Sequence, residues 1–476
     1  MNVARGNACS LPRRDVIALT KHLCSSVFIC GFALLSQSCA VGPNYSKPDA
    51  EIPAAYKELE GWKIAEPKDA VPKGKWWEIF NDPILNGLAE QVNVSNQELK
   101  AAEARYRAAR SQVQVARSAL FPTLGVSASA DRVKRADAPA VTTGAVTLDA
   151  SWEIDLWGRV RRSVEAAEAG QQASAADLEA ARLLLQAEVA TNYFQLRVTD
   201  VAKELLDDAV KNYERNYQLT QNRYAAGVAA KAEVVQAEAQ LRSTQAQAID
   251  VNASRATLEH AVAVLIGKPP STFTIEKVPF HVKVPEIPPG LPSTLLERRP
   301  DIAAAERRMA AANARIGVAE AAYYPSLDLD ARLGFAGPLS HLFTLPNRTW
   351  SLGAALAGTL LDFGGRAGAV SSAEASYDET VANYRQTVLN GFQEVENNLA
   401  TLHWLAQESD VQVEATRLAR ESVALTINQY KAGTVSYLAV VIVQASQLNE
   451  ERTMVQLINR RLAATVALVR AIGGTW

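Results

Sequence analysis

The chain has almost nothing from which to build a redox or metal centre. Its cysteines are Cys9, Cys24, Cys30 and Cys39, and no cysteine follows residue 39. A disulfide framework and a thiolate metal site are therefore excluded from nearly the whole chain. The five histidines, His22, His260, His281, His341 and His403, are scattered without metal-ligand spacing. No glycine-rich phosphate loop opens a helix, so neither metal, cofactor nor enzymatic chemistry is expected. The net charge of −2 gives no reason to expect nucleic acid. No run approaches ~18 consecutive apolar residues, so no transmembrane helix is predicted.

The longest apolar run is Leu23 to Leu35, preceded by Arg5, Arg13, Arg14 and Lys21. Its 13 residues are too few to span a bilayer but suit the core of a secretory signal. Residues 1–38 are expected to be removed, and the protein to leave the cytoplasm. Cleavage there puts the lone Cys39 at the new N-terminus, as in bacterial lipoproteins, and makes 39–82 a lipidated N-terminal segment. Ser38 is suitably small, although Ser36 stands where leucine is usual and Gln37 is atypical. The alternative is ordinary cleavage nearby with an incidental cysteine.

What the chain does have is an internal repeat, the first thing to settle before a fold is proposed. "RYAAGV" at Arg223 returns as "QYKAGT" at Gln429, so Tyr224 and Gly227 recur as Tyr430 and Gly433, shifted by 206. Ile266-Gly267 recurs as Ile472-Gly473 at the same shift, and Asp155, Gly158 and Arg159 recur as Asp362, Gly365 and Arg366, shifted by 207. The spacing predicts a first repeat over 83–267, a proline-rich linker over 268–299 and a second repeat over 300–476. Each repeat runs helix, two strands, long helix, turn, helix.

Period-two alternation marks four strands, about 122–133, 145–157, 325–336 and 349–362. In the second, Val146, Leu148, Ala150, Trp152, Ile154 and Leu156 alternate with Thr147, Asp149, Ser151, Glu153 and Asp155. Each strand is long enough to cross a bilayer when tilted. The rest is helical. Val441, Leu448, Val455, Leu462 and Val469 recur every seven residues, as in a coiled-coil seam. Val160 to Tyr224 carries no proline and reads as one helix ~98 Å long. Its return partner, Ala229 to Ile266, is shorter, so Pro83 to Leu120 must stack end to end with it. In the second half Arg366 to Tyr430, Val435 to Ile472 and Pro300 to Tyr323 repeat the arrangement.

Strands with one apolar and one acidic face suit a wall between lipid and water. Lipid forbids open sheet edges, and four strands cannot close a barrel. Several chains must share one, two giving eight strands and three giving twelve. Asp149, Glu153, Asp155, Asp328 and Asp330 then face a water-filled lumen, while Trp152 and Trp350 face lipid. The clustered acids could mimic a catalytic carboxylate pair, but their strand alternation reads as lumen lining. The fold class is a mixed one, a membrane β-barrel plus a long α-helical barrel.

The sequence resembles the TolC family of outer-membrane factors, in the lipoprotein branch (the NodT and OprM type). The resemblance is carried by "CAVGPNYSKP" from Cys39, "WWEIFNDPILNGLAEQ" from Trp76, "SWEIDLWGRVRR" from Ser151, "RYAAGV", "LLERRPDIAAAERRMAAANARIGVAEAAYYPSL" from Leu295, "LLDFGGR" and "YKAGTVSYL". It implies a homotrimer with a twelve-stranded barrel in outer-membrane lipid, lipid-anchored and extending into the periplasm. It also implies two partners, a periplasmic adaptor (membrane fusion protein) and an inner-membrane pump of the resistance-nodulation-division (RND) type. The expected function is a passive exit duct for drugs or other small toxic compounds. A type I protein-secretion duct and a poreless coiled-coil lipoprotein are the alternatives. The turns at Tyr224, Gly227, Tyr430 and Gly433 are expected to dock the adaptor. Family members commonly carry an acid four residues after the leucine of the "YL" pair. Here the pair is Tyr437-Leu438 and that position is Ile442, so Leu438 and Ile442 are expected to form an apolar periplasmic aperture.

Overall fold

The computed structural model describes residues 40–48, 53, 55–57, 74–137, 139–280, 284–285, 287 and 298–474. Cys39, His281 and most of the linker beyond residue 280 lie outside them. The chain divides into two compact units. One comprises Met1–Lys47, Arg110–Gly170 and Arg308–Thr380, and the other Pro48–Ala109, Gln171–Arg307 and Val381–Trp476.

The first unit is organised by a sheet of β1 (Thr123–Val133), β2 (Val141–Ile154), β3 (Ser326–Pro338) and β4 (Arg348–Ala357). All pairings are antiparallel and the order is β1-β2-β3-β4. β1 and β4 therefore each leave one edge unpaired among the described residues. β2 stops at Ile154, short of the expected 157, although the alternation runs on. The reason is Asp155, whose carboxylate accepts from the backbone N–H groups of Val160 and Arg161 at 3.1 and 2.9 Å. A side chain that caps the next helix turns the backbone out of the sheet. β4 likewise stops at Ala357 rather than 362, and Asp362 accepts from the backbone N–H groups of Gly364 and Arg366 at 3.3 and 2.9 Å.

Long helices fill the second unit and run on into the first. They are α1 (Pro83–Ser95), α2 (Gln97–Ser118), α3 (Arg159–Ala225), α4 (Lys231–Leu265), α5 (Pro300–Ala321), α6 (Gly365–Lys431) and α7 (Tyr437–Ala471). With 67 residues each, α3 and α6 are about 100 Å long. The single helix expected over Pro83 to Leu120 is broken at Asn96. There the side-chain oxygen accepts from the Leu99 N–H at 2.8 Å while its amide donates to the Leu265 carbonyl at 2.7 Å. The break is thus a cap for two helices at once, a role that apolar periodicity does not reveal.

The repeat is visible at the ends of the return helices. Gly267 and Gly473 are left-handed, with φ of 71° and 89°. A Cβ at Gly267 would sit 2.2 Å from the Ser95 carbonyl oxygen, and one at Gly473 would sit 2.8 Å from that of Arg298. Arg299 takes the part of Asn96, donating to the Ala471 carbonyl at 3.0 Å. Along α7 the heptad seam is covered as expected, with Leu448, Leu462 and Val469 buried and Val441 and Val455 half-buried. Among the described residues no helix is long and apolar enough to cross a membrane.

Candidate functional site

Strand register assembles the surface that matters. Val126 lies opposite Leu148, Leu148 opposite Leu333 and Leu333 opposite Trp350. The next row on that face runs Leu124, Ala150, Ala331, Leu352, and a lower one joins Trp152, Leu329 and Ala354. Leu124, Val126, Trp350 and Leu352 are 71–77% exposed, so nothing among the described residues covers this apolar face. A contiguous uncovered patch of this kind marks an interaction with lipid or another chain. At the helix-proximal end of the sheet, Trp152 Nε1 donates to the Leu120 carbonyl. Trp157 Nε1 donates to the Pro325 carbonyl, and its ring stacks on Tyr324 at 4.7 Å. Aromatic side chains with a polar handle at a strand end suit a membrane interface.

The opposite face is polar. Its rows read Ser127, Thr147, Gly334, Thr349, then Gly125, Asp149, Arg332, Ser351, then Thr123, Ser151, Asp330, Gly353. Asp149 pairs with Arg332 across the strands and accepts from Ser127 and Thr147 hydroxyls at 2.9 and 3.0 Å. Glu153 is held by Arg159, and it faces Asp328 across β2 and β3. Asp328 accepts from Ser326 at 3.0 Å, and Asp330 is exposed. The expected lumen acids thus share one face, with the exception of Asp155, which lies beyond β2 as a helix cap. None of them gathers with Cys or His into a metal-binding cluster among the described residues.

The face pattern needs lipid on one side and water on the other, and comparison with known proteins shows which molecules are built this way. The family model described as "Outer membrane efflux protein" matches residues 88–268 and 291–474. The chain belongs to the outer membrane efflux protein family. It is 29% identical to nodulation protein T of Rhizobium leguminosarum bv. trifolii over 93% of this chain and 96% of that one. It is also 29% identical to a toluene efflux pump outer membrane protein of Pseudomonas putida, TtgC, over 96% of each. The solved outer-membrane channel OprN superimposes with a TM-score of 0.86 at 31% identity, over 92% of this chain and 99% of that one. This efflux protein is thus built as an outer-membrane channel, a transport duct.

The tips of the efflux protein's two helical hairpins are built alike. Gly227 and Gly433 are left-handed, with φ of 78° and 77°. At the first tip the Gly227 N–H donates to the Tyr224 carbonyl and the Val228 N–H to that of Arg223. At the second, the Gly433 N–H donates to the Tyr430 carbonyl and the Thr434 N–H to that of Gln429. These are two copies of one C-terminal capping motif. Their tyrosines differ. Tyr224 is exposed, whereas Tyr430 is 3% exposed, edge-on to Tyr437 at 5.5 Å and beneath the Arg223 guanidinium at 4.5 Å. Tyr430 therefore packs within the tip, whereas Tyr224 stands open at its surface. Burial pushes the Tyr437 phenol up to about 12, with Tyr430 and Tyr213 adding to the effect, so it stays neutral at any physiological pH. Leu438 and Ile442 are both more than half exposed within the chain.

Two features of the efflux protein escaped sequence reasoning. Fully buried Arg197 donates to the Tyr193 hydroxyl at 3.0 Å and to the Glu276 carbonyl at 2.6 Å, and Tyr193 donates on to Asp82 at 2.6 Å. Arg255 joins Asp200 and the Ile275 carbonyl to the same site. These arginines fasten the start of the linker to α3 and α4. Near the sheet, buried Arg162 donates to the Val41 and Gly42 carbonyls and to Asn44 at 3.2, 3.1 and 2.9 Å, binding the segment that follows Cys39. The only sequence signal was its place in "WGRVRR".

Proposed function

We propose that three copies of this chain close a twelve-stranded barrel and serve as the exit duct of a tripartite pump, with an RND-type pump and a periplasmic adaptor as partners. The cargo would be drugs or other small toxic compounds. The observation that carries this reading is the sheet itself. It is apolar across one face and polar across the other, and β1 and β4 are open to receive neighbouring copies. An open edge in lipid leaves backbone groups without partners, at several kcal/mol each, and closing the ring satisfies them.

Lipidation of Cys39 belongs to the same proposal. The Val41 N–H donates to the Trp157 carbonyl at 2.9 Å, so the residues that follow Cys39 lie beside the end of β2. An acyl chain there would enter lipid next to the barrel as an additional anchor. Native mass spectrometry of detergent-extracted protein is expected to find three copies, each with diacylglycerol on Cys39, and planar bilayers are expected to show discrete conductance. A monomer without conductance would sink the duct, and an unmodified N-terminus would sink the anchor alone.

The adaptor would meet the hairpin tips at Tyr224, Gly227 and Gly433. Gly433 has open space around its α-carbon, so a side chain there meets no neighbour and would stand in the path of a partner, although its left-handed backbone strains most residues. Gly433→Trp is expected to lower drug resistance at unchanged trimer yield. Gly433→Asn, which tolerates the left-handed backbone, should keep resistance. Equal resistance in both variants argues against docking there.

A further inference from the structure

At the helix-distal end of the sheet, the connection from β3 to β4 folds back over the apolar face. Gly144 and Gly337 pair with each other on that face. A Cβ at Gly144 would sit 2.9 Å from Leu339 Cδ1 and 3.3 Å from Leu342 Cδ2, and one at Gly337 would strike the Asn347 amide. The missing side chains thus let the loop lie down on the sheet. Leu342 is buried there, and Phe343 packs edge-on against Phe335 at 5.7 Å. The loop is also tied to itself, since the His341 carbonyl accepts from Asn347 Nδ2 at 2.7 Å and from the Thr344 hydroxyl at 2.8 Å. So braced, it presents Phe343 and Leu345 outward, 71% and 83% exposed.

Cations gather around this loop. Arg348 opens β4 directly opposite Phe335, and Arg132 on β1 shares the face of Ala130, the partner of Gly144. Lys134 and Arg135 follow β1 into its turn, and all four cations are exposed. Among the described residues no ion pair engages any of them. Asp131 lies opposite Thr143 and so belongs to the polar face, while Asp137 is in the turn. Inward of this rim the apolar face carries no charge in any row. An arginine stem can lie along apolar surface while its guanidinium stays at the polar boundary. Cations bordering an exposed apolar loop suit an amphiphile whose anionic head and acyl chains are engaged together, and arginine matches phosphate oxygens in pairs.

We propose that this rim binds a phosphorylated glycolipid of the outer leaflet, with its phosphates on Arg132, Lys134, Arg135 and Arg348 and its acyl chains against Phe343 and Leu345. The site rests on the lipid-facing reading of the sheet, with the helices on the periplasmic side, and holds for any number of copies. Phosphate monoesters carry up to two charges each, more than the single charge of a phospholipid diester, so a cluster of four cations favours the glycolipid. The loop that lies on the lipid side is at the same time kept off the polar face, and with it out of the pore mouth.

The full-length protein, purified in detergent, would be titrated with lipid A bearing both phosphates, and bound lipid counted by native mass spectrometry. The wild type is expected to retain it. Arg132→Gln, Lys134→Gln, Arg135→Gln and Arg348→Gln combined should lower the affinity at least about a hundredfold at unchanged yield of folded protein. Leu345→Ser alters a side chain too exposed to support the fold and should weaken binding severalfold by itself. Phosphatidylglycerol and inorganic pyrophosphate are expected to compete only at far higher concentration. Equal retention by the wild type and the glutamine variant overturns the site. So does phosphatidylglycerol competing as well as lipid A, which reduces the rim to a general attraction for anionic lipid, and so does pyrophosphate competing equally, which reduces it to a site for free anions. In each case a wild type that still inserts and conducts leaves the lipid-facing sheet standing. A protein that never inserts overturns the sheet reading as well.

Discussion

Serine in place of both Leu438 and Ile442 is expected to raise single-channel conductance severalfold and to let large antibiotics leak into the cell. The pair occupies the first turns of α7 and stands off its seam. Further along the same face Ala445, Asn449, Arg452 and Gln456 are exposed, so two large apolar groups at the start are out of keeping with plain solvation. One set per protomer would form an apolar ring, and a narrow apolar ring closes a pore by excluding water and ions. An acid at the position of Ile442 would stay hydrated and attract cations, whereas isoleucine does neither. If the pair merely packs against a neighbouring helix, the substitutions cost stability, about 2 kcal/mol or more for each truncated side chain that is buried there. Conductance would then stay at the wild-type value. Planar-bilayer recordings and antibiotic susceptibility separate the two, and unchanged values in an intact trimer place the constriction elsewhere.

Leu352→Lys should remove the assembled channel from the outer membrane, whereas Ser351→Lys, one residue away, should leave assembly intact. Leu352 shares the apolar row with Leu124 and Ala331, and Ser351 faces Arg332 on the polar side. A lysine facing lipid near the bilayer midplane costs about 2–4 kcal/mol, and three copies multiply the penalty. On the water-filled face the same charge keeps its hydration and changes conductance rather than insertion. The yield of trimer in outer-membrane fractions reads the difference. Equal loss for both variants would show that the apolar face is not a lipid face.

Much of this architecture could be read from spacing. Alternation located all four strands, and the 206-residue shift located both tips. The strand ends were missed because Asp155 fits the alternation as well as any lumen acid would, and only its bonds to Val160 and Arg161 reveal a cap. Asn96 was passed over for the same reason, since a polar residue within a helical run looks like solvated surface until a partner 169 positions away is seen. Arg197 and Arg162 each reach backbone carbonyls far away in the sequence, and carbonyls carry no sequence signature. Tyr224 and Tyr430 look equivalent in the repeat, yet only one is buried. That difference depends on Arg223 and Tyr437, which arrive from other turns.

The pairing of β2 with β3 also sets an order of events. Ile154 meets Leu327, 173 positions further on, so a long stretch of chain must be looped out before the centre of the sheet can form. The hairpins of α3 with α4 and of α6 with α7 close through turns of a few residues, and contacts near in sequence form fastest. The helices should therefore be in place while β1-β2 and β3-β4 are still separate ribbons, too narrow to persist alone in water. Membrane insertion then comes last, which keeps adhesive strand edges from forming early in the crowded space outside the cytoplasm.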